Sequence, residues 1–196
     1  MSDTPYLVVG LGNPGPDYAS TRHSIGHMVV ERLADDISAG AFQRDKRNNA
    51  FVATGRTTAG KLLVARLGSF MNTSGGPTAA LLGYYRIPID HLIVVHDDLD
   101  LPFDTVRIKH GGGHGGHNGL RDIIAATGSR DFTRIRFGID HPSGRQPVSD
   151  YVLKPFSATE RKTLDDVITT AADAALTVVT DGLTQAQQRF HAPQAK

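Results

Sequence analysis

The 196-residue sequence contains no cysteine. Neither a disulfide framework nor a thiolate zinc site can hold it together, and nothing requires an oxidising compartment, so a cytoplasmic protein is expected. Long apolar runs are also missing. No stretch approaches the roughly 20 apolar residues that span a bilayer, and the opening Met1-Ser-Asp-Thr-Pro-Tyr6 lacks the basic region and apolar core of a signal peptide. A soluble, unprocessed chain with no membrane attachment is the expectation. Charge excess is absent too, with 21 Lys and Arg against 20 Asp and Glu. Coating of nucleic acid by bulk attraction is thereby excluded, because it rests on neutralising many phosphates. Any nucleic-acid site must be a local basic patch.

What is present is enough apolar material, 39% of residues, for one substantial core. No internal repeat, low-complexity block or linker interrupts it, so residues 1–196 are expected to form a single domain with short flexible ends. Tyr6-Leu-Val-Val-Gly10 reads as a buried strand, followed by a glycine-rich turn and a helix carrying Ile25, Met28, Val29, Leu33 and Ile37 at helical spacing. Residues 51–57 and 61–67 are β-prone runs around Thr58-Ala-Gly60, which predicts a hairpin at the edge of a sheet. A helix is predicted over 74–85, with Ala79, Leu82 and Tyr85 on its inner face and Pro88 as its stop. Leu92-Ile-Val-Val95 predicts a buried strand ending in His96-Asp-Asp98.

Further on, residues 105–109 and 134–139 read as strands, 111–119 as a glycine-rich loop and 120–126 as a helix. Ser157-Ala-Thr-Glu160 has capping-box spacing before a long apolar stripe from Leu164 to Val178, with Gly182 as its stop. Strands interleaved with helices imply an α/β fold: a three-layer α/β/α domain with a mixed, mostly parallel twisted sheet and an antiparallel edge hairpin.

In such sheets, sites form in loops beyond the carboxyl ends of strands. Asn13, Asp97, Asn72 and Asn118 fall in those places. His23, at the mouth of the first helix, and Asp97, at the end of a buried strand, can converge there. An imidazole held by a carboxylate can take a proton from water near neutral pH. The asparagines can orient a carbonyl or stabilise its oxyanion without competing for that proton. Each residue also has an ordinary use, a cap for the histidine and turns for Asp97 and the asparagines. Gly10-Leu-Gly12-Asn-Pro-Gly15 formally matches the dinucleotide fingerprint, but Pro14 stands where N–H groups would face a pyrophosphate. A tight turn is the better reading.

Taken together, five segments carry a resemblance: Val9-Gly-Leu-Gly-Asn-Pro-Gly15, Thr21-Arg-His23, Phe70-Met-Asn72, His96-Asp-Asp-Leu-Asp-Leu-Pro102, and Gly111-Gly-Gly-His-Gly-Gly-His-Asn-Gly-Leu120. With Asp181-Gly-Leu183 near the C-terminus, the chain resembles the bacterial-type peptidyl-tRNA hydrolases from about Leu7 to His191. The resemblance implies a monomeric enzyme, without metal or organic cofactor, that cuts the ester between a peptide and the terminal ribose of tRNA and so recycles peptidyl-tRNA after translation aborts.

By matching position it implies His23 as the base that activates water, Asp97 as its orienter, and Asn72 with Asn13 at the substrate and the oxyanion. Asn118 would place the water or the peptide backbone. Tyr18, Met71, Gly115 and His117 would belong to the substrate cleft, with the glycine-rich loop as a lid or a close backbone wall. Lys109 and Arg136 would grip a terminal phosphate of the tRNA.

Two departures from the family pattern stand out. Ser24 follows the base where asparagine is usual, and Arg66-Leu-Gly-Ser69 replaces a segment with proline and threonine. Ser24 could instead cap the helix. Rival readings are a metal site built from His110, His114 and His117 beside His96, Asp97 and Asp98, and an RNA-binding relative without chemistry. The retained His23, Asp97 and Asn72 argue against the second, since binding alone would not demand all three.

Overall fold

Seven strands form one sheet in the order β2-β3-β4-β1-β5-β7-β6. The computed structural model describes residues 4–191; the flexible ends expected from the sequence lie outside the described residues. The strands are β1 (Tyr6–Gly10), β2 (Gln43–Asp45), β3 (Ala50–Thr57), β4 (Gly60–Leu67), β5 (Leu92–Asp98), β6 (Val106–His110) and β7 (Thr133–Gly138). The four central strands, β4, β1, β5 and β7, are parallel, so their carboxyl ends share one edge of the sheet. The hairpin of β3 and β4 is antiparallel as predicted. It is not the edge: β2 pairs outside β3, and β4 lies inside the sheet against β1. A second antiparallel pair, β6 on β7, closes the other side.

Burial on both faces explains why β1 and β5 are continuous apolar runs rather than alternating ones. On one face Val8, Ile93 and Val95 pack with α1 (Ile25–Asp36) and α6 (Leu164–Asp181) through residues such as Val29, Leu33 and Ala171. On the other, Leu7, Val9 and Val94 meet α2 (Gly75–Tyr84) and α3 (Asn118–Thr127) through Leu81 and Ile123. The expected three layers are therefore present.

Several predicted boundaries shift. The inner face of α2 carries Thr78, Leu81 and Leu82, with Ala79 and Tyr85 only partly buried. Its rotation is set by α3, because a Cβ at Gly75 would lie 2.2 Å from the Asp122 carbonyl, so the two backbones touch there. The capping box at Ser157 and Glu160 is present but starts a separate short turn, α5 (Ala158–Arg161), before α6 begins at Leu164. Gly182 ends α6 with φ 91°, and a further helix, α7 (Leu183–His191), follows it. α7 covers the open edge of the sheet: His191 Nε2 accepts from the Ile108 N–H at 2.8 Å, and the Gln187 amide donates to the Ile108 carbonyl at 3.2 Å. Edge strands left bare invite pairing with other chains. No helix among the described residues is long and apolar enough to cross a membrane.

Candidate active site

The glycines of the dinucleotide-like pattern are explained by packing. A Cβ at Gly10 would sit 2.0 Å from the Gly26 carbonyl oxygen, and one at Gly12 would lie 2.8 Å from the His27 ring. Gly15 takes φ 98°, a left-handed conformation in which L side chains are strained. No long helix opens at this turn, since α1 starts only at Ile25 after a 3-10 turn over Arg22–Ser24. The nucleotide reading therefore loses the helix N-terminus it needs.

That 3-10 turn presents His23. It is stitched to the far end of the chain, with the Arg22 N–H on the Lys154 carbonyl at 3.0 Å and the Arg22 guanidinium on Glu160 at 2.9 Å. The same guanidinium stacks over Tyr151 at 4.1 Å. Sequence reasoning missed Arg22 because a buried, doubly anchored arginine leaves no periodic signal.

His23 Nδ1 lies 2.8 Å from Asp97 Oδ2, and Asp97 is 3% exposed. The other oxygen, Oδ1, lies 2.8 Å from His117 Nε2. Nδ1 of His117 accepts from the N–H groups of Gly119 and Leu120 at 3.1 and 3.3 Å, so the imidazole caps α3. That leaves the ring proton on Nε2, donated to Asp97. α3 accordingly starts two residues before the predicted helix, on a cap type outside the usual Ser, Thr, Asp and Asn set.

Burial works against a charge on His23, yet the Asp97 carboxylate and its hydrogen bond outweigh it and leave the imidazole above the ordinary histidine value. Burial would also raise the Asp97 carboxyl, but His23 and His117 hold it far below the usual range. The adjoining His96 is buried and donates from Nδ1 to the Asp97 carbonyl at 2.7 Å. Burial and His117 push its pKa down to about 4.

Asn13 joins three of the loops. Its N–H donates to Ser24 Oγ at 3.1 Å, and its Oδ1 accepts from the Met71 N–H at 2.7 Å. Ser24 stands at the N-cap position of α1 but makes no capping hydrogen bond; its buried hydroxyl positions Asn13 instead. The departure from the family pattern thus keeps a polar support at this point.

These groups open onto a cavity of about 1090 Å³. Asn13, His23, Met71, Asn72, Asp97, Gly115, His117 and Asn118 line it, and Lys109 and Arg136 lie along the same wall. Tyr18 does not line it. Its ring meets Phe70 edge-on at 6.1 Å, and Phe70, half exposed, forms the rim that sequence reasoning did not single out. Arg136 Nε lies 2.7 Å from Asp98 Oδ2, while Lys109 is exposed with no carboxylate partner among the described residues.

The metal trio foreseen from the glycine-rich segment does not assemble. His110 is bonded to Thr133 Oγ1 at 3.1 Å, and His114 accepts from the Gly116 N–H at 2.9 Å. Among the described residues, the ligand-type atoms that do converge, within 4.8 Å, belong to His23, Asp97 and His117. Both oxygens of Asp97 already face imidazole N–H groups, and His117 has no lone pair free, which suits a hydrogen-bonded triad better than metal ligation.

The sequence matches the family described as peptidyl-tRNA hydrolase over residues 7–196. A peptidyl-tRNA hydrolase of Leifsonia xyli subsp. xyli is 51% identical, covering 96% of this chain and 98% of that protein. One from Streptomyces coelicolor is 46% identical over 95% of each chain. The crystal structure of peptidyl-tRNA hydrolase from Acinetobacter baumannii superposes with a TM-score of 0.89 at 35% identity, covering 99% of this chain and 97% of that one.

Proposed function

Because the chain belongs to the peptidyl-tRNA hydrolase family and so hydrolyses the ester bond of peptidyl-tRNA, we propose that His23 is its general base and that the cavity above β1, β4 and β5 is where the ester is cut. The observation that carries this reading is the His23–Asp97 pair at 2.8 Å, in a cavity shared with Asn13, Asn72 and Asn118.

With Nδ1–H donated to Asp97, the lone pair of His23 is on Nε2, ready to take a proton from water. The water oxygen bonds to the ester carbonyl carbon, and the carbonyl π electrons move onto its oxygen. Amide N–H groups of Asn72 and Asn13 stabilise that oxyanion. Collapse restores the carbonyl and breaks the bond to the ribose oxygen, which receives the proton from the His23 imidazolium. The products are a free peptide carboxyl group and a tRNA with its terminal hydroxyl restored. A ribose oxygen leaves far more readily than an amine, so one base and neutral amide donors suffice.

Asn118 and the backbone at Gly115 border the path of the peptide, with Met71 on the floor and Phe70 at the rim, backed from outside the cavity by Tyr18. His117 has both ring nitrogens occupied, so it acts as a positioning residue for Asp97. Lys109 and Arg136 hold a tRNA phosphate by charge-assisted contacts. The reaction as written uses one chain, with no metal or organic cofactor, in the cytoplasm where translation releases its substrate.

The test is release of the acyl group from purified N-acetyl-aminoacyl-tRNA. Hydrolysis by the unaltered protein and a loss of about 10²-fold or more in His23→Ala are expected; comparable rates would remove His23 as the base.

A further inference from the structure

Arg134, on β7, is one of the largest fully buried side chains in the protein, 2% exposed. None of its hydrogen bonds goes to a carboxylate. They go to the carbonyls of Gly113 at 2.7 Å, Gly112 at 2.8 Å and Arg130 at 3.2 Å, and the guanidinium stacks over Phe132 at 4.4 Å. Its Nε has no partner among the described residues. Burying an unneutralised cation is costly, and an apolar side chain would fill the space with less penalty.

The location of this charge gives it a use. In the β6–β7 register Arg134 lies directly opposite Lys109, and Arg136, two residues on, faces the same side of the sheet. All three line the active-site cavity. Arg136 is offset by Asp98, whereas Lys109 and Arg134 are not. Two of the carbonyls that Arg134 holds, those of Gly112 and Gly113, belong to the segment beside Lys109: a Cβ at Gly112, where φ is 89°, would fall 2.7 Å from the Lys109 ammonium. Below the surface a charge is poorly screened, so its field at the cavity wall is strong.

We propose that Arg134 is a positioning residue of the phosphate site, fixing Gly112 and Gly113 so that Lys109 is held in place and adding its own unneutralised charge to the attraction for a tRNA phosphate. The proposal rests on the reading of Lys109 and Arg136 as that phosphate site.

Two substrates separate the effects: full-length N-acetyl-aminoacyl-tRNA with its 5′ phosphate, and an N-acetyl-aminoacyl ester of adenosine, which has no such phosphate. In Arg134→Gln the KM for the tRNA rises about tenfold at low salt and the slope of log KM against log salt falls by about one, a clearly larger loss than that on the adenosine ester. Arg134→Lys keeps the charge but not the three-way fork. It retains the slope, while KM for the tRNA rises.

Equal losses on both substrates with an unchanged slope would reduce Arg134 to a structural support and overturn the proposal. Lys109→Ala is measured alongside. If it changes the slope and Arg134→Gln does not, this proposal alone falls; if neither does, the phosphate reading falls and takes the proposal with it. Should Arg134→Gln fail to fold, Arg134→Lys decides: an unchanged KM for the tRNA overturns the proposal.

Discussion

Nδ1 of His23 lies 2.8 Å from Oδ2 of Asp97, and this one contact both orients the imidazole and raises its pKa above the ordinary histidine value. With His23 as the base, the acid limb of kcat/KM in the unaltered enzyme is expected above the ordinary histidine range of about 6.5. In Asp97→Asn the raising charge is gone while burial, which lowers the pKa, remains. The limb then moves to lower pH, and the plateau falls about 10²- to 10⁴-fold because the amide can present an N–H to Nδ1 and select the wrong tautomer. A pH profile of kcat/KM on N-acetyl-aminoacyl-tRNA checks this; a limb that stays put or moves up would contradict it. The sign for stability is opposite. The ion pair contributes fully below the unfolded histidine pKa and is lost as pH rises through the folded value, so the imidazole becomes neutral as its stabilising role fades.

Asn13 gives a way to separate scaffold from chemistry. Its oxygen is used by the Met71 N–H at 2.7 Å, and its amide nitrogen donates to no protein acceptor among the described residues. Asn13→Asp keeps the acceptor and replaces the donor with a negative charge facing the oxyanion. A loss of about 10²- to 10³-fold in kcat with little change in thermal stability is expected. Asn13→Ala also strands the Met71 N–H, which costs about 1–3 kcal/mol in addition. Steady-state kinetics beside denaturant titration distinguish the two, and near-normal turnover by Asn13→Asp would rule out its donor role.

The glycines around β1 make a prediction about folding. A Cβ at Gly26 would lie 2.3 Å from the Leu11 nitrogen and 2.5 Å from the Leu11 and Val95 carbonyl oxygens, all of them backbone atoms. Gly26→Ala must push α1 off the sheet and carry His23 with it. Destabilisation of roughly 3 kcal/mol is expected, together with loss of activity. Gly83, in the open on α2, provides the contrast: Gly83→Ala should be neutral or stabilising by about 0.5–1 kcal/mol. Equal unfolding midpoints for the two variants would refute the packing account.

Why some of this was legible in the sequence and some was not follows from the physics of each element. β1 and β5 were readable because burial on both faces forces apolar runs, and α1 because its stripe faces one layer only. β2 is three polar residues, with neither alternation nor apolar content to announce it. The β6–α7 seam depends on two side chains, Gln187 and His191, meeting a strand some 80 positions away in the chain, which no local pattern encodes. In the site, His23, Asp97 and the asparagines were singled out because their chemistry is distinctive. The cap made by His117, the anchors on Arg22 and the burial of Arg134 were not, since each is a property of where the side chain ends rather than of its type.

Two buried histidines contribute to the acid stability. Burial and the nearby Arg66 guanidinium push His27 down to about 4, and burial with His117 does the same to His96. Both are neutral when folded and gain a proton when unfolded, so the stabilisation is whole above about pH 6.5 and is lost as pH falls toward 4. At this size of shift each contributes at most on the order of 3 kcal/mol. Asp97 acts in a different window, because its depressed pKa keeps it ionised and stabilising until the pH is well below the usual carboxylate range. Of the two histidines, His27 is the better probe, since its ring rests on Gly12, whereas His96 lines the active-site cavity and donates to the Asp97 carbonyl. His27→Phe should retain activity near neutral pH and lose less stability than the unaltered protein between pH 6.5 and 4. Urea titrations across that interval test it: parallel curves for the two proteins would show that His27 is not one of the groups that titrate on unfolding.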